Sequence, residues 1–223
     1  MPDTPSPLWP PAFGAAIFDF DGTLAETAWV WRRVDALFLE RRGLPYDPAL
    51  SAKLAELGFA SGARHVIERY RLDEDERDIC DEWNADGRDL YETGVGLRPG
   101  AAGYLAALRA RGIPCALATT NDPEVIGSME RVDADALFDA RVFGAQVSRP
   151  KRFPDIYLEA ARRLGVDPRR CVVFEDLACG LVAARSVGML GVGVVAHDDP
   201  AQDVGALEAA SDLVLRDWRD IRR

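Results

Sequence analysis

Two aspartates two residues apart, Asp19 and Asp21, follow the short apolar run Ala15-Ala16-Ile17-Phe18, with Gly22 and Thr23 directly after them. Carboxylates this close repel each other unless a cation lies between them or one keeps its proton. A set of oxygen ligands favours a hard divalent ion such as Mg2+. A second acidic pair, Glu175-Asp176, follows the apolar run Cys171-Val172-Val173-Phe174. Thr119, Thr120 and Asn121 follow a third, Cys115-Ala116-Leu117-Ala118. They offer hydroxyls and backbone N–H groups at a helix start, where anions bind. Lys151 stands just ahead of a helix opened by Pro154 and can neutralise a phosphoryl oxygen. A carboxylate nucleophile, a metal, hydroxyl donors and a lysine together compose a phosphoryl-transfer site.

Such a site needs elements that bring these residues to one place. Further short apolar runs occur at Val192–Val195 and Asp212–Leu215. Continuous apolar strands alternating with helices indicate a parallel sheet covered on both faces. The helices have readable ends: Pro99-Gly100 opens one that Gly112 and Pro114 close, Asn121 or Asp122 caps another, and Gly165 ends the one begun by Pro154. In a doubly wound α/β sheet, ligands bind beyond the carboxyl ends of the strands, where Asp19, Thr119 and Glu175 fall. From about Glu26 to Tyr91 the pattern changes. A helical pattern through Trp29, Arg32, Arg33, Leu37 and Arg41 ends at Gly43, helix-like segments around 48–57, 61–71 and 74–91 follow without a strand signal, and Thr93 to Gly100 reads as a flexible glycine-rich return. The expected architecture is a Rossmann-like doubly wound parallel sheet with an all-helical segment inserted after the first strand. Residues 1–25 and 97–223 form the α/β core and 26–96 the helical insertion.

Composition narrows the function classes. The 223 residues are 48% apolar and carry a net charge of −10, so neither nucleic acid nor an anionic membrane surface is the expected partner. The two histidines, His65 and His197, cannot form a three-histidine metal cage and read as packing or surface residues. Cys80, Cys115, Cys171 and Cys179 contain no CxxC pair, which fits a reducing compartment and a cytoplasmic protein. The Pro-rich leader MPDTPSPLWPPAF has no basic residue, so it is not read as a secretory signal.

The four clusters resemble, in order, the motifs of the haloacid dehalogenase-like (HAD) hydrolases. Asp19-Phe20-Asp21-Gly22-Thr23-Leu24 matches the first, and Leu117-Ala118-Thr119-Thr120-Asn121 is similar to the second. Lys151-Arg152-Phe153-Pro154-Asp155-Ile156-Tyr157 resembles the third, and Val173-Phe174-Glu175-Asp176 the fourth. The inserted helices resemble the cap of the phosphoglycolate phosphatase and β-phosphoglucomutase branch. The resemblance implies a Mg2+-dependent phosphatase of a small phosphorylated metabolite. Asp19 is then the nucleophile that becomes an aspartyl-phosphate, and Asp21 the acid and base. Thr119 and Lys151 bind the transferred group, with Thr120 and Asn121 beside them. Asp19, the Asp21 carbonyl, Glu175 and Asp176 make up the metal site. A monomer or weak homodimer is expected.

Three positions depart from that pattern. Pro150-Lys151-Arg152 replaces the usual Gly-Lys-Pro, Leu177 stands where a serine usually follows the acidic pair, and Trp31 occupies the position at which the mutase relatives carry histidine. The last speaks against the nearest alternative, a β-phosphoglucomutase-like phosphomutase. From another class, a non-catalytic phosphate- or partner-binding protein on the same scaffold is the remaining alternative. Trp31 and Arg64 are the candidate substrate contacts from the helical segment, Arg64 for a second anionic group on the substrate.

Overall fold

A computed structural model describes residues 8–221 of the chain; the first seven residues of the Pro-rich leader lie outside that range. The chain runs through β1 (Ala15–Phe18), then α1 (Ala28–Arg41), α2 (Pro48–Leu57), α3 (Phe59–Tyr70) and α4 (Glu76–Gly94). There follow α5 (Ala101–Ala110), β2 (Cys115–Thr119), α6 (Pro123–Gly127), α7 (Ala134–Leu137) and β3 (Ala140–Phe143). The last part comprises α8 (Asp155–Leu164), β4 (Cys171–Glu175), α9 (Ala178–Ser186), β5 (Leu190–Val194), α10 (Val204–Ala210) and β6 (Leu213–Leu215). The strands form one parallel sheet in the order β3-β2-β1-β4-β5-β6.

β1, β2 and β4 are buried along their whole length because helices cover both faces of the sheet. Side chains alternate between the faces. Phe18 and Phe174 stack on one side, 4.8 Å between ring centroids, against Tyr104 and Trp218. Ile17 and Val173 pack on the other against Ile156 and Tyr157 of α8. Truncating Phe18 to alanine removes a central ring of that stack and costs about 3–5 kcal/mol.

This order makes the site. The strand sequence reverses direction between β1 and β4, and the crevice of an open α/β sheet opens at such a reversal. Phe18 pairs in register with Phe174, and the Asp19 N–H donates to the Phe174 carbonyl at 3.0 Å. Asp19 and Glu175 therefore leave neighbouring strands at the same level.

The sequence reading needs three adjustments. β3 was not expected: it is an edge strand carrying Arg141 between Ala140 and Val142, and edge strands need no continuous apolar run. Helix α4 runs on to Gly94, where a side chain would put Cβ 3.0 Å from the Trp29 ring, so this glycine serves close packing. The return is not a loose glycine-rich linker. Leu97 bridges Ala25, the Arg98 N–H donates to the Leu24 carbonyl at 2.7 Å, and the buried Arg98 side chain pairs with Asp198 at 2.6 Å. Gly100 has φ +93°, and a Cβ there would meet the Arg219 amide nitrogen at 2.9 Å. Among the described residues no helix is long and apolar enough to cross a membrane.

Candidate active site

The carboxyl ends of β1, β2 and β4 open into a cavity of about 420 Å3 whose far wall is made by α1, α2 and the start of α3. Asp19, at the end of β1, is buried, and its carboxylate is paired with the ammonium of Lys151, itself only 3% exposed. Lys151 also donates to Glu175 Oε2 at 3.0 Å, and the Tyr157 hydroxyl donates to the same oxygen at 3.1 Å. Burial by itself favours a neutral amine, but the two carboxylates more than offset this and hold Lys151 protonated. Burial also pushes the carboxyls upward: Glu175 to about 7, with Asp19 adding to the rise, and Asp19 and Asp176 above the usual carboxylate range.

Three of these groups form a donor set. One carboxylate oxygen each from Asp19, Glu175 and Asp176 lie within 4.8 Å of one another. Oxygen-only, crowded and desolvated, they fit a hard divalent cation. The backbone is shaped around the cluster. Gly22 has φ +72°, and a Cβ there would fall 2.2 Å from Asp176 Oδ2, so only glycine lets Asp176 lie against this turn. Thr23 Oγ1 donates to the other Asp176 oxygen at 3.4 Å. Gln202 donates to the Asp176 and Val194 carbonyls at 2.9 and 3.0 Å, tying the loop after β4 to the end of β5. Gly180 leaves room on α9 for Glu175 and Tyr157, whose hydroxyl would lie 2.5 Å from a Cβ at that position.

Asp21 faces a different group of partners. Its Oδ1 accepts from Trp31 Nε1 at 2.9 Å and from the Tyr91 hydroxyl, and its Oδ2 accepts from Asn121 Nδ2 at 3.3 Å. The Asn121 amide nitrogen also donates to the Tyr91 hydroxyl at 3.0 Å. Two inserted helices, α1 and α4, and the loop after β2 thus orient one carboxylate. The Asp21 side chain stands apart from the three-carboxylate cluster.

The sequence candidates fall in different places. Asp19, Asp21, Thr120, Asn121, Lys151 and Asp176 all line the cavity. Glu175 lies beneath it, bonded to Lys151. Thr119 is buried at the end of β2, where its Oγ1 accepts the Asn121 N–H at 3.1 Å. Asp122 is the cap of α6, its carboxylate accepting from the Glu124 N–H at 2.8 Å. Trp31 lines the cavity, its ring edge-on to Phe59 at 5.5 Å. Arg64 does not: it is exposed on α3, pairs with Glu76 at 3.3 Å and is absent from the cavity wall. An exposed arginine on the outer face of a helix carries its charge away from the site.

Sequence reasoning missed Tyr91, Tyr157 and Asp35. Tyr157 was inside a quoted motif, and its buried position on α8 beside a strand-end glutamate was the available signal. Tyr91 and Asp35 sit in ordinary amphipathic helices, where nothing local marks them. The charges around the cavity are also unequal. Its two cations, Arg32 and Lys151, are both paired, Arg32 with Asp199 at 3.3 Å, while Asp35, Asp199 and Asp203 add to the acidic lining.

Residues 13–188 match the model of the family described as haloacid dehalogenase-like hydrolase. A phosphorylated carbohydrates phosphatase of Thermotoga maritima is 30% identical over 184 residues, covering 82% of this chain and 85% of that protein. A β-phosphoglucomutase of Bacillus subtilis is 27% identical over 220 residues, covering 93% and 91%. The crystal structure of CbbY from Rhodobacter sphaeroides in complex with phosphate superposes with a TM-score of 0.81 at 27% identity, covering 94% of this chain and 96% of that one.

Proposed function

This chain belongs to the haloacid dehalogenase-like hydrolase family, in its phosphoglycolate phosphatase and β-phosphoglucomutase-like branch, and is a phosphoric monoester hydrolase; we propose that it cleaves a small phosphorylated metabolite through an aspartyl-phosphate on Asp19, with Mg2+ as cofactor. The observation that carries this reading is the Asp19 carboxylate. It lies at the cavity floor, paired with Lys151 and crowded by Glu175 and Asp176.

In this reading Asp19 attacks phosphorus as the ester P–O bond breaks. Asp21, held by Trp31, Tyr91 and Asn121, gives its proton to the leaving oxygen. Asp21 then takes a proton from the water that attacks the aspartyl-phosphate, releasing orthophosphate and restoring the Asp19 carboxylate. Lys151 and the Thr120 N–H hold the transferred phosphoryl oxygens, and the Asn121 N–H, engaged by Thr119 Oγ1, fixes that loop from beneath. Asp19, Glu175, Asp176 and the Asp21 carbonyl are the residues that would hold Mg2+, which when bound neutralises charge on the transferring group. Residues 26–96 act as the cap that shields the reaction from bulk water, and 1–25 with 97–223 as the catalytic core.

Hydrolysis is favoured over phosphoryl return to a second site because, with Lys151 assigned to the transferred group, the other cation of the cavity among the described residues, Arg32, is already paired with Asp199. A mutase must grip a second phosphate of a bisphosphorylated intermediate. The test is turnover of a generic aryl phosphate with Mg2+ and with excess chelator. Turnover that persists undiminished in metal-free protein removes the metal from the mechanism.

A further inference from the structure

Asp35 has no part in the phosphoryl chemistry, yet its placement calls for a ligand. It lies on α1 four residues after Trp31, so the two side chains share a face, about 6 Å apart along the helix axis. Trp31 touches Asp21, the group that meets the leaving oxygen. Asp35 therefore stands one helical turn farther along the cavity wall, where the other end of the leaving group must lie. Asp35 is 7% exposed and lines the cavity. Its polar neighbour is the Ser51 hydroxyl on α2, and among the described residues it makes no ion pair, Arg32 one turn away on α1 being paired with Asp199. Around it on α1 are Val30, Val34 and Phe38, which require no carboxylate for their packing.

A buried carboxylate without a cation or a full set of donors is costly. Burial accordingly pushes Asp35 up to about 6. The surrounding wall is aromatic: Trp31, Phe59 and Trp83 pack edge to face at 5.5 and 6.0 Å. With Arg32 and Lys151 both paired, this end of the cavity offers apolar faces, the Asp35 carboxyl and the Tyr46 and Ser51 hydroxyls, and no unpaired cation among the described residues.

We propose that Asp35 is a specificity-determining residue: it accepts a hydrogen bond from an O–H or N–H group at the far end of the leaving group, whose body lies against Trp31 and Phe59, and it rejects leaving groups that end in a second anion. The proposal rests on the phosphatase reading above and names its substrate class. That class is a monophosphate ester of an uncharged alcohol with a terminal hydrogen-bond donor.

Three para-substituted phenyl phosphates test it, because the ring spans a length comparable to the one-turn spacing between Trp31 and Asp35. The para group is hydroxymethyl, methyl or carboxylate. The quantity read is the ratio of kcat/KM between esters within each enzyme, so that a general loss of activity cancels. In the native enzyme the hydroxymethyl ester should exceed the methyl ester roughly tenfold or more, as for a hydrogen bond to a charged acceptor. The carboxylate ester should be the poorest. Asp35→Leu should bring the hydroxymethyl-to-methyl ratio towards one. Asp35→Asn keeps an acceptor without the charge, so it should retain part of that preference while the carboxylate ester gains relative to the other two. If Asp35→Leu does not fold, the asparagine variant still separates the two effects. Equal ratios in native and Asp35-variant enzymes overturn the proposal and leave the phosphatase reading intact. Turnover of all three esters no greater than that of an Asp19→Asn control overturns both.

Discussion

Replacing Asp35 by asparagine should change how the stability of the protein depends on pH, independently of any substrate. Burial pushes the Asp35 carboxyl from its ordinary 3.8 up to about 6, with the Ser51 hydroxyl opposing the rise. A folded pKa above the unfolded one means that the folded state binds the proton more tightly. The stability associated with protonated Asp35 is therefore complete below about pH 3.8 and is lost as the pH rises through 6. A shift of about two units at 1.36 kcal/mol per unit amounts to about 3 kcal/mol at neutral pH. Between pH 4 and 7.5 about 2–3 kcal/mol of this develops, because some of the proton loss has already begun at pH 4. Asparagine cannot ionise and so removes that loss, leaving an amide that must find its own partners near Ser51. The assay is urea denaturation of the native and Asp35→Asn proteins at several pH values in metal-free buffer. Acid effects shared by both proteins cancel in the difference. The variant should gain stability relative to the native protein as the pH rises, by about 2–3 kcal/mol across that range. A difference that stays flat from pH 4 to 7.5 would mean that Asp35 is solvated in the folded chain, which would refute the burial argument.

Other consequences concern the floor of the site. Gly22→Ala places a Cβ where Asp176 Oδ2 now lies, 2.2 Å away; the Mg2+ concentration for half-maximal turnover should rise at least about tenfold, as when the support of a metal ligand is disturbed. Lys151→Met leaves the buried carboxylates of Asp19 and Glu175 without their cation, costing about 3–5 kcal/mol in denaturant unfolding without metal, with partial recovery on adding Mg2+. Trp31→Phe removes the indole donor to Asp21 and should lower kcat about tenfold through loss of a charge-assisted hydrogen bond, whereas an unchanged kcat would show that Tyr91 and Asn121 suffice. Arg64→Ala should leave kcat/KM unchanged on phosphate esters of any size, because the side chain is exposed on α3 and paired with Glu76; a substrate-selective loss in paired kinetics would show that it reaches the site.

Local chemistry was legible in the sequence wherever one short segment does one job. Apolar runs ending in acidic, hydroxyl or amide residues marked β1, β2 and β4, since a strand buried on both faces must be apolar throughout and must stop where polar groups begin. Glycine, proline and aspartate at helix ends marked their boundaries, as at Asp122 and Gly165. Other features were settled by tertiary structure. Edge strand β3 is defined by pairing with β2, an energy its own residues hardly advertise. The glycines of the return segment read as freedom, but Trp29 packs where a Gly94 side chain would go and the Arg219 backbone does the same at Gly100. Tyr91 meets Asp21 across 70 positions of sequence, and Lys151 meets Asp19 across 132. Which face of α1 turns Trp31 and Asp35 to the cavity depends on how α1, α2 and α4 pack together, and Arg64 lies outside the cavity for the same reason. The residue types that can do chemistry follow from the chain, whereas the partners that orient them follow from packing, because hydrogen bonds and desolvation act over a few ångströms of space and are blind to distance along the sequence.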